Sequence, residues 1–217
     1  MIPLKDDNPR SAFPILTITL IAVNILAFLL ELQFGLEYVV MKYGAIPIEI
    51  VNGQDLETMF TSMFLHGGFM HLAGNMLYLW IFGDNIESYL GRFKFILFYL
   101  ICGLIAIFAH IFMSGSSEVP MVGASGAISG ILGAYLIKYP KAKVLVLIPI
   151  IFFITVRRIP ALFVLGFWFI MQLFSGVVTI GGEGGGVAFW AHIGGFVAGL
   201  GLILLLSEKK RKAVSYN

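Results

Sequence analysis

"VPMVGASGAISGILGAYL" (119–136) alternates glycine, alanine and serine with aliphatic residues inside an otherwise strongly apolar chain. In lipid, small residues recurring along one helix face let two backbones approach closely. A serine at the start of such a strip is either a helix cap or a nucleophile waiting for a base. The rest of the sequence supplies the grounds for choosing.

The solvent comes first. Of 217 residues, 59% are apolar and 12% charged, and the mean hydropathy is +0.95. Soluble domains carry about half apolar and a quarter charged residues. Apolar runs approaching about 18–20 residues read as membrane-crossing helices, and six are predicted: 14–32, 71–89, 93–113, 125–139, 161–178 and 188–206. The fold class expected is therefore an all-α membrane protein, a six-transmembrane-helix bundle. Residues 1–13 form an N-terminal segment, 14–206 the membrane domain and 207–217 a basic tail. Between the fourth and fifth spans, "KVLVLIPIIFFITVRR" (143–158) has an apolar part too short to cross alone and reads as interfacial or re-entrant. The N-terminal charges are mixed and no small-residue cleavage pattern follows the first apolar run, which argues against a cleavable signal. Cys102 is the single cysteine, so no internal disulfide framework exists.

Orientation follows from basic residues. With the N-terminus inside, the inside segments hold Lys5, Arg10, Arg92, Lys94, Lys138, Lys141, Lys143, Arg157, Arg158, Lys209, Lys210, Arg211 and Lys212, and the outside holds only Lys42. Such a bias favours both termini cytoplasmic. It also accounts for the net charge of +2 through anchoring at anionic lipid, with no nucleic-acid partner. The outer loops carry Glu31, Glu37, Glu49, Asp55, Glu57, Glu118 and Glu183, an acidic set with no role legible in the sequence.

Polar side chains at membrane depth are costly and default to functional hypotheses. Three clusters qualify: "HGGFMHLAGN" (66–75), "GASGAIS" (123–129) and "AHIGGFVAG" (191–199). At 1.5 Å rise per residue, Ser125 lies about 20 Å above Lys138, His192 about 24 Å from Glu208 and Asn75 about 25 Å from Arg92. Three distant parts of the chain thus reach one layer, below the outer surface of a hydrocarbon core about 30 Å thick. Gly126, Gly130 and Gly133 make a small-residue strip on the fourth helix; His192, Gly195 and Gly199 share a face of the sixth. Close approach of those faces brings Ser125 and His192 within hydrogen-bond reach. His71 and Asn75, at i and i+4, point the same way.

The chemistry has named parts. His192 is the base that can take the Ser125 proton. Ser125 begins its helix, where unpaired N–H groups and the positive dipole end favour developing negative charge. Asn75 and His71 can add donors, giving an oxyanion hole. Neither the fourth nor the sixth span contains a carboxylate, so the catalytic unit reads as a Ser–His dyad.

At these residues the chain resembles the rhomboid family of intramembrane serine proteases, from about Phe64 to Gly199. The resemblance is carried by "HGGFMHLAGN", by Gly123-x-Ser125-Gly126, by His192 with Gly195 and Gly199, and by Gly83, Glu87 and Gly91 in "GDNIESYLG" (83–91). It implies a rhomboid-like bundle in which Ser125 is the nucleophile, His192 the general base, and His71 and Asn75 oxyanion donors. It implies cleavage of single-span membrane-protein substrates near the outer end of the span, after a small residue. It implies no metal and no cofactor, a multi-pass protein of the cell membrane with its active site toward the outer side, and substrate entry between the second and fifth helices. "IGGEGGGV" (180–187) has the glycine content for a flexible cap over the site. Two departures stand out. The stretch "QDLETMFTSMFLHGG" (54–68) lacks the Trp-Arg pair many bacterial members carry, leaving the anchoring of the first loop open. Ser129 stands where some members have a tyrosine stacked on the catalytic histidine, leaving the orientation of His192 open.

Other readings compete. His66 and His71 are five apart, which is not the His-x3-His spacing of a zinc site. Gly83, Glu87 and Gly91 read as structural, fixing the cytoplasmic end of the second helix. Phe163, Phe167, Trp168 and Phe169 in the fifth span read as lipid contact. Among functions, a non-catalytic rhomboid-fold membrane chaperone is the main alternative. A secondary transporter is a weaker one, since the chain shows no interrupted helices in two matching halves.

Overall fold

The computed structural model describes residues 1–8, 12–114, 117–150, 153–178 and 188–206. Six long helices occupy the six apolar stretches: α1 (Ile15–Phe34), α5 (Phe69–Leu90), α6 (Arg92–Ser114), α7 (Ser125–Lys138), α8 (Ala161–Val178) and α9 (Phe189–Leu206). Short helices α2 (Leu36–Tyr43), α3 (Pro47–Val51) and α4 (Thr58–Thr61) fill the connection between α1 and α5. By length and composition, α1, α6, α8 and α9 can cross a membrane. The polar residues of α5, among them His71, Asn75, Asp84 and Glu87, lower its hydropathy, and α7 has only 14 residues, about 21 Å.

The all-α expectation needs a correction. Lys143–Ile150 (β2) and Phe153–Pro160 (β3) form an antiparallel hairpin, and Ile2–Asp6 (β1) pairs with β2, giving the order β1-β2-β3. The segment 143–158, expected to be interfacial or re-entrant, thus carries two paired strands, Lys143–Ile150 and Phe153–Pro160. The sequence contains the reason. Val144 and Val146 alternate with Lys143 and Leu145, and a two-residue period puts both valines, fully buried, on one face. The run is rich in Val and Ile, which suit a pleated, half-buried surface. Asp6 pins the sheet to the helices: its Oδ2 accepts from the Tyr135 hydroxyl at 2.6 Å and from Asn85 Nδ2 at 3.0 Å. Burial holds the Asp6 carboxyl above its ordinary value, an effect the Tyr135 hydrogen bond only partly offsets.

Helix α1 turns a stripe of Thr17, Leu20, Asn24, Phe28 and Glu31 inward. Its polar members have partners. Glu87 of α5 accepts from the backbone N–H of Leu16 (2.9 Å) and Thr17 (2.8 Å) and from the Thr17 hydroxyl (2.8 Å). These are first-turn amides that no helix can satisfy internally, so Glu87 caps α1 from across the bundle. Asn24 Nδ2 donates to the Leu20 carbonyl at 2.7 Å. Gly83 packs against Leu79 and Thr17, and Gly91, at φ +74°, ends α5 with its N–H on the Glu87 carbonyl.

At the centre stands α7, buried from Gly126 to Tyr135 and packed by α5, α6 and α9. Its contact with α9 is backbone on backbone. A Cβ on Gly195 would collide with the Gly126 carbonyl oxygen, one on Gly199 with the Gly130 carbonyl, and one on Gly133 with the Phe196 carbonyl. On the far side, a Cβ on Gly126 would sit 2.6 Å from that of Ala106 in α6.

Candidate active site

Ser125 opens α7, and no side chain caps that helix's first turn. Its hydroxyl therefore remains free to point elsewhere, beside unpaired backbone N–H groups. It meets His192 of α9: Ser125 Oγ lies 2.8 Å from His192 Nε2. The small-residue seam between α7 and α9 produces this approach, since larger residues there would hold the helices further apart.

Gly123, two residues before Ser125, takes φ +128°, a conformation that L side chains rarely adopt. Its N–H donates to the Ser62 carbonyl at 2.9 Å. A Cβ there would lie 2.8 Å from Cε1 and Nε2 of His71 and 3.5 Å from Ser125 Oγ. The His71 ring thus lies against the turn that presents Ser125, in a space only glycine leaves open. Asn75, one turn along α5 on the same face, is 8% exposed, and its Nδ2 has no hydrogen-bond partner among the described residues. A buried donor left unpaired is costly and calls for an explanation. Beside Ser125 a small cavity opens, lined by Gly103, Ala106, Gly126, Ala127 and Ala191 together with Met63, Ile107 and Met121.

His66 is fully buried next to His71, ring centroids 5.2 Å apart at 70°. Burial, with the neighbouring His71, pushes His66 down to about 4, so it is neutral at pH 7. Its backbone N–H donates to both carboxylate oxygens of Glu31, each at 3.1 Å. Glu31 is fully buried, so it does not belong to a surface acidic set; it ties the chain entering α5 to α1. Thr61, whose hydroxyl donates to the Tyr43 carbonyl, and an Ala45–Met121 bridge hold the rest of the first loop. These contacts anchor a first loop that has no Trp-Arg pair. Among the described residues no group of His, Cys, Asp and Glu could hold a metal ion. The glycine-rich stretch 180–187 lies outside the described residues.

Ser129 donates its hydroxyl to the Ser125 carbonyl at 2.7 Å and is not directed at the imidazole. His192 instead meets α8. Its Nδ1 lies 2.8 Å from Gln172 Oε1, and the Trp168 ring, one turn earlier, is 6.0 Å away at 35°. The fifth span divides accordingly. Phe163 and Phe167 face outward, while Trp168 packs on Phe196 and Phe169 stacks on it at 4.4 Å. Gln172 is the residue that sequence reasoning missed, although an amide in a nearly all-apolar span was its signal.

A model of the Rhomboid domain matches residues 53–209. Rhomboid protease GluP of Bacillus subtilis is 36% identical over 126 residues, covering 57% of this chain and 24% of that protein. Presenilin-associated rhomboid-like protein A, mitochondrial, of Danio rerio is 38% identical over 107 residues, 48% of this chain and 28% of its own length. RHOMBOID-like protein 5 of Arabidopsis thaliana is 31% identical over 167 residues, 76% and 49% respectively. The chain spans between about a quarter and a half of the length of these relatives. The matched region takes in Asn75, Ser125 and His192 together with the helices that carry them, and over that region the chain belongs to the rhomboid family.

Proposed function

We propose that this membrane protein is an intramembrane serine protease that hydrolyses a peptide bond in or near the single membrane-spanning segment of other proteins. The observation that carries the reading is the 2.8 Å contact between Ser125 Oγ and His192 Nε2, two side chains 67 residues apart in sequence. The Ser125 O–H donates to Nε2. As Oγ attacks the substrate carbonyl, the imidazole takes the proton and later returns it to the departing amine; water then releases the acyl group by the reverse sequence. The oxyanion is met by the N–H groups at the start of α7, by Asn75 Nδ2 and by His71. The unpaired state of Asn75 Nδ2 suits a donor whose acceptor exists only during the reaction.

Six crossings with cytoplasmic ends, in the cell membrane, fit the distribution of Lys and Arg and put the dyad toward the outer side. The small cavity beside Ser125, with glycine and alanine in its lining, suits a small substrate side chain. Helix α8 rests mainly on α9 and makes no extensive contact with α5 among the described residues, which suits lateral entry between α5 and α8. GluP, a protease by name, is one of the relatives.

The test is labelling by a fluorophosphonate. The purified wild-type protein should be labelled, and Ser125→Ala and His192→Ala should not. Labelling that persists without His192 would break the dyad. Asn75→Ala should lower kcat about 10- to 1000-fold with the protein still folded, by comparison with loss of one oxyanion donor. Wild-type turnover in that variant would remove Asn75 from the oxyanion site.

A further inference from the structure

We infer that Gln172 is the positioning residue of the hydrolytic unit, its side-chain carbonyl accepting the Nδ1 proton of His192 so that Nε2 offers its lone pair to Ser125. This role rests on the protease reading above.

A neutral imidazole has one N–H donor and one bare acceptor nitrogen. For His192 to take a proton from Ser125, Nε2 must be bare, and the ring proton must sit on Nδ1. That N–H points at Gln172 Oε1, 2.8 Å away. The proton requirement by itself determines which end of the amide faces the ring, since the NH2 end would set two donors against each other. Gln172, His192 and Ser125 then form one chain of two 2.8 Å hydrogen bonds across α8, α9 and α7. When His192 is protonated in mid-reaction, the amide dipole still accepts from Nδ1. A carboxylate in this place would bring a net charge to membrane depth, which is expensive; an amide orients the ring without one.

Among the described residues, neither of the two other candidates near the ring takes this task. Ser129 is committed to the Ser125 carbonyl. Trp168, at i−4 from Gln172, covers the imidazole but offers no acceptor. Much of α8 otherwise faces outward, with Phe167, Ile170, Met171, Leu173 and Phe174 exposed. An amide in such a helix is costly unless paired, and the partner it finds is the one side chain whose tautomer the reaction depends on.

The experiment compares Gln172→Leu, Gln172→Met and Gln172→Glu with wild type on a single-span test substrate, with fluorophosphonate labelling of Ser125 in parallel. Methionine keeps the length, leucine is one atom shorter, and both remove the oxygen acceptor; glutamate keeps an oxygen at the same place. The apolar variants should lose about 10- to 100-fold in kcat and in labelling rate, the range found when the partner that orients a metal-bound histidine is removed, with KM within about twofold. Glutamate should restore most of the loss. Unchanged kcat in a folded apolar variant, a loss confined to KM, or an equal loss in all three variants would overturn the role. If the wild type is labelled at Ser125 and the apolar variants are labelled equally fast, this inference alone fails. If the wild type shows no Ser125-dependent labelling, the proposed function fails, and this role with it.

Discussion

Ser125→Ala and His192→Ala are each expected to lower cleavage of a single-span substrate by at least about 10⁴-fold, and the double variant should lose no more than either single one. The lack of additivity is the informative part. His192 has nothing to activate once the hydroxyl is gone, and Ser125 keeps its proton once the base is gone, so each substitution removes the whole unit. On the proposed oxyanion assignment, the residual rate would come from the α7 N-terminus, Asn75 and His71, which none of these variants touches. The folded state should be little changed, because Ser125 caps no helix and His192 is only partly buried. Quantifying the cleaved band in detergent, with thermal unfolding beside it, checks both statements. The same variants separate the protease from a chaperone of the same fold: a chaperone's grip on a membrane-spanning segment would survive Ser125→Ala, and the wild type would yield no cleaved band.

The helical part of the fold was legible because lipid imposes length and composition together, and the six long helices fall on the six apolar stretches within a few residues. The candidate site was legible for a related reason: polar residues at membrane depth are few, so Ser125, His192, Asn75 and His71 stood out against their surroundings. The three-stranded sheet was not. The sequence 148–154 is apolar throughout, and a short apolar run does not by periodicity alone distinguish a strand from other buried segments. The pairing of β1 with β2 joins residues more than 130 apart, Ile2 with Leu147 and Asp6 with Val144, and no local pattern encodes that contact or the hydrogen bond from Tyr135 of α7 to Asp6. Glu31 was misplaced because a carboxylate near a predicted span end reads as surface, while its burial depends on the backbone N–H of His66 arriving from another segment. Gln172 was passed over for a comparable reason. Its aromatic neighbours drew attention to lipid contact, and its partner lies on a different helix.

Gly199→Ala is expected to cost about 1–3 kcal/mol of stability or more, as overpacking does, and at least about 10²-fold in turnover, even though Gly199 is two turns from His192 and touches no reacting atom. The added methyl would fall on the carbonyl oxygen, carbonyl carbon and Cα of Gly130. These are backbone atoms of a buried helix and cannot rotate aside, as the end of a flexible side chain would. Helices α7 and α9 must therefore separate or tilt, and the 2.8 Å Ser125–His192 contact spans that same interface. A displacement of about 1 Å in a reacting geometry can cost 10²-fold. Gly201, on the exposed side of α9, is the control: a Cβ there meets nothing within 4 Å. Gly201→Ala should leave turnover unchanged and, because alanine is the better helix former by up to about 1 kcal/mol, should if anything raise the unfolding temperature. Two glycines separated by a single residue in one helix thus predict opposite outcomes. A Gly199→Ala protein as stable and as active as Gly201→Ala would mean that the small-residue seam does not hold the two reacting helices together.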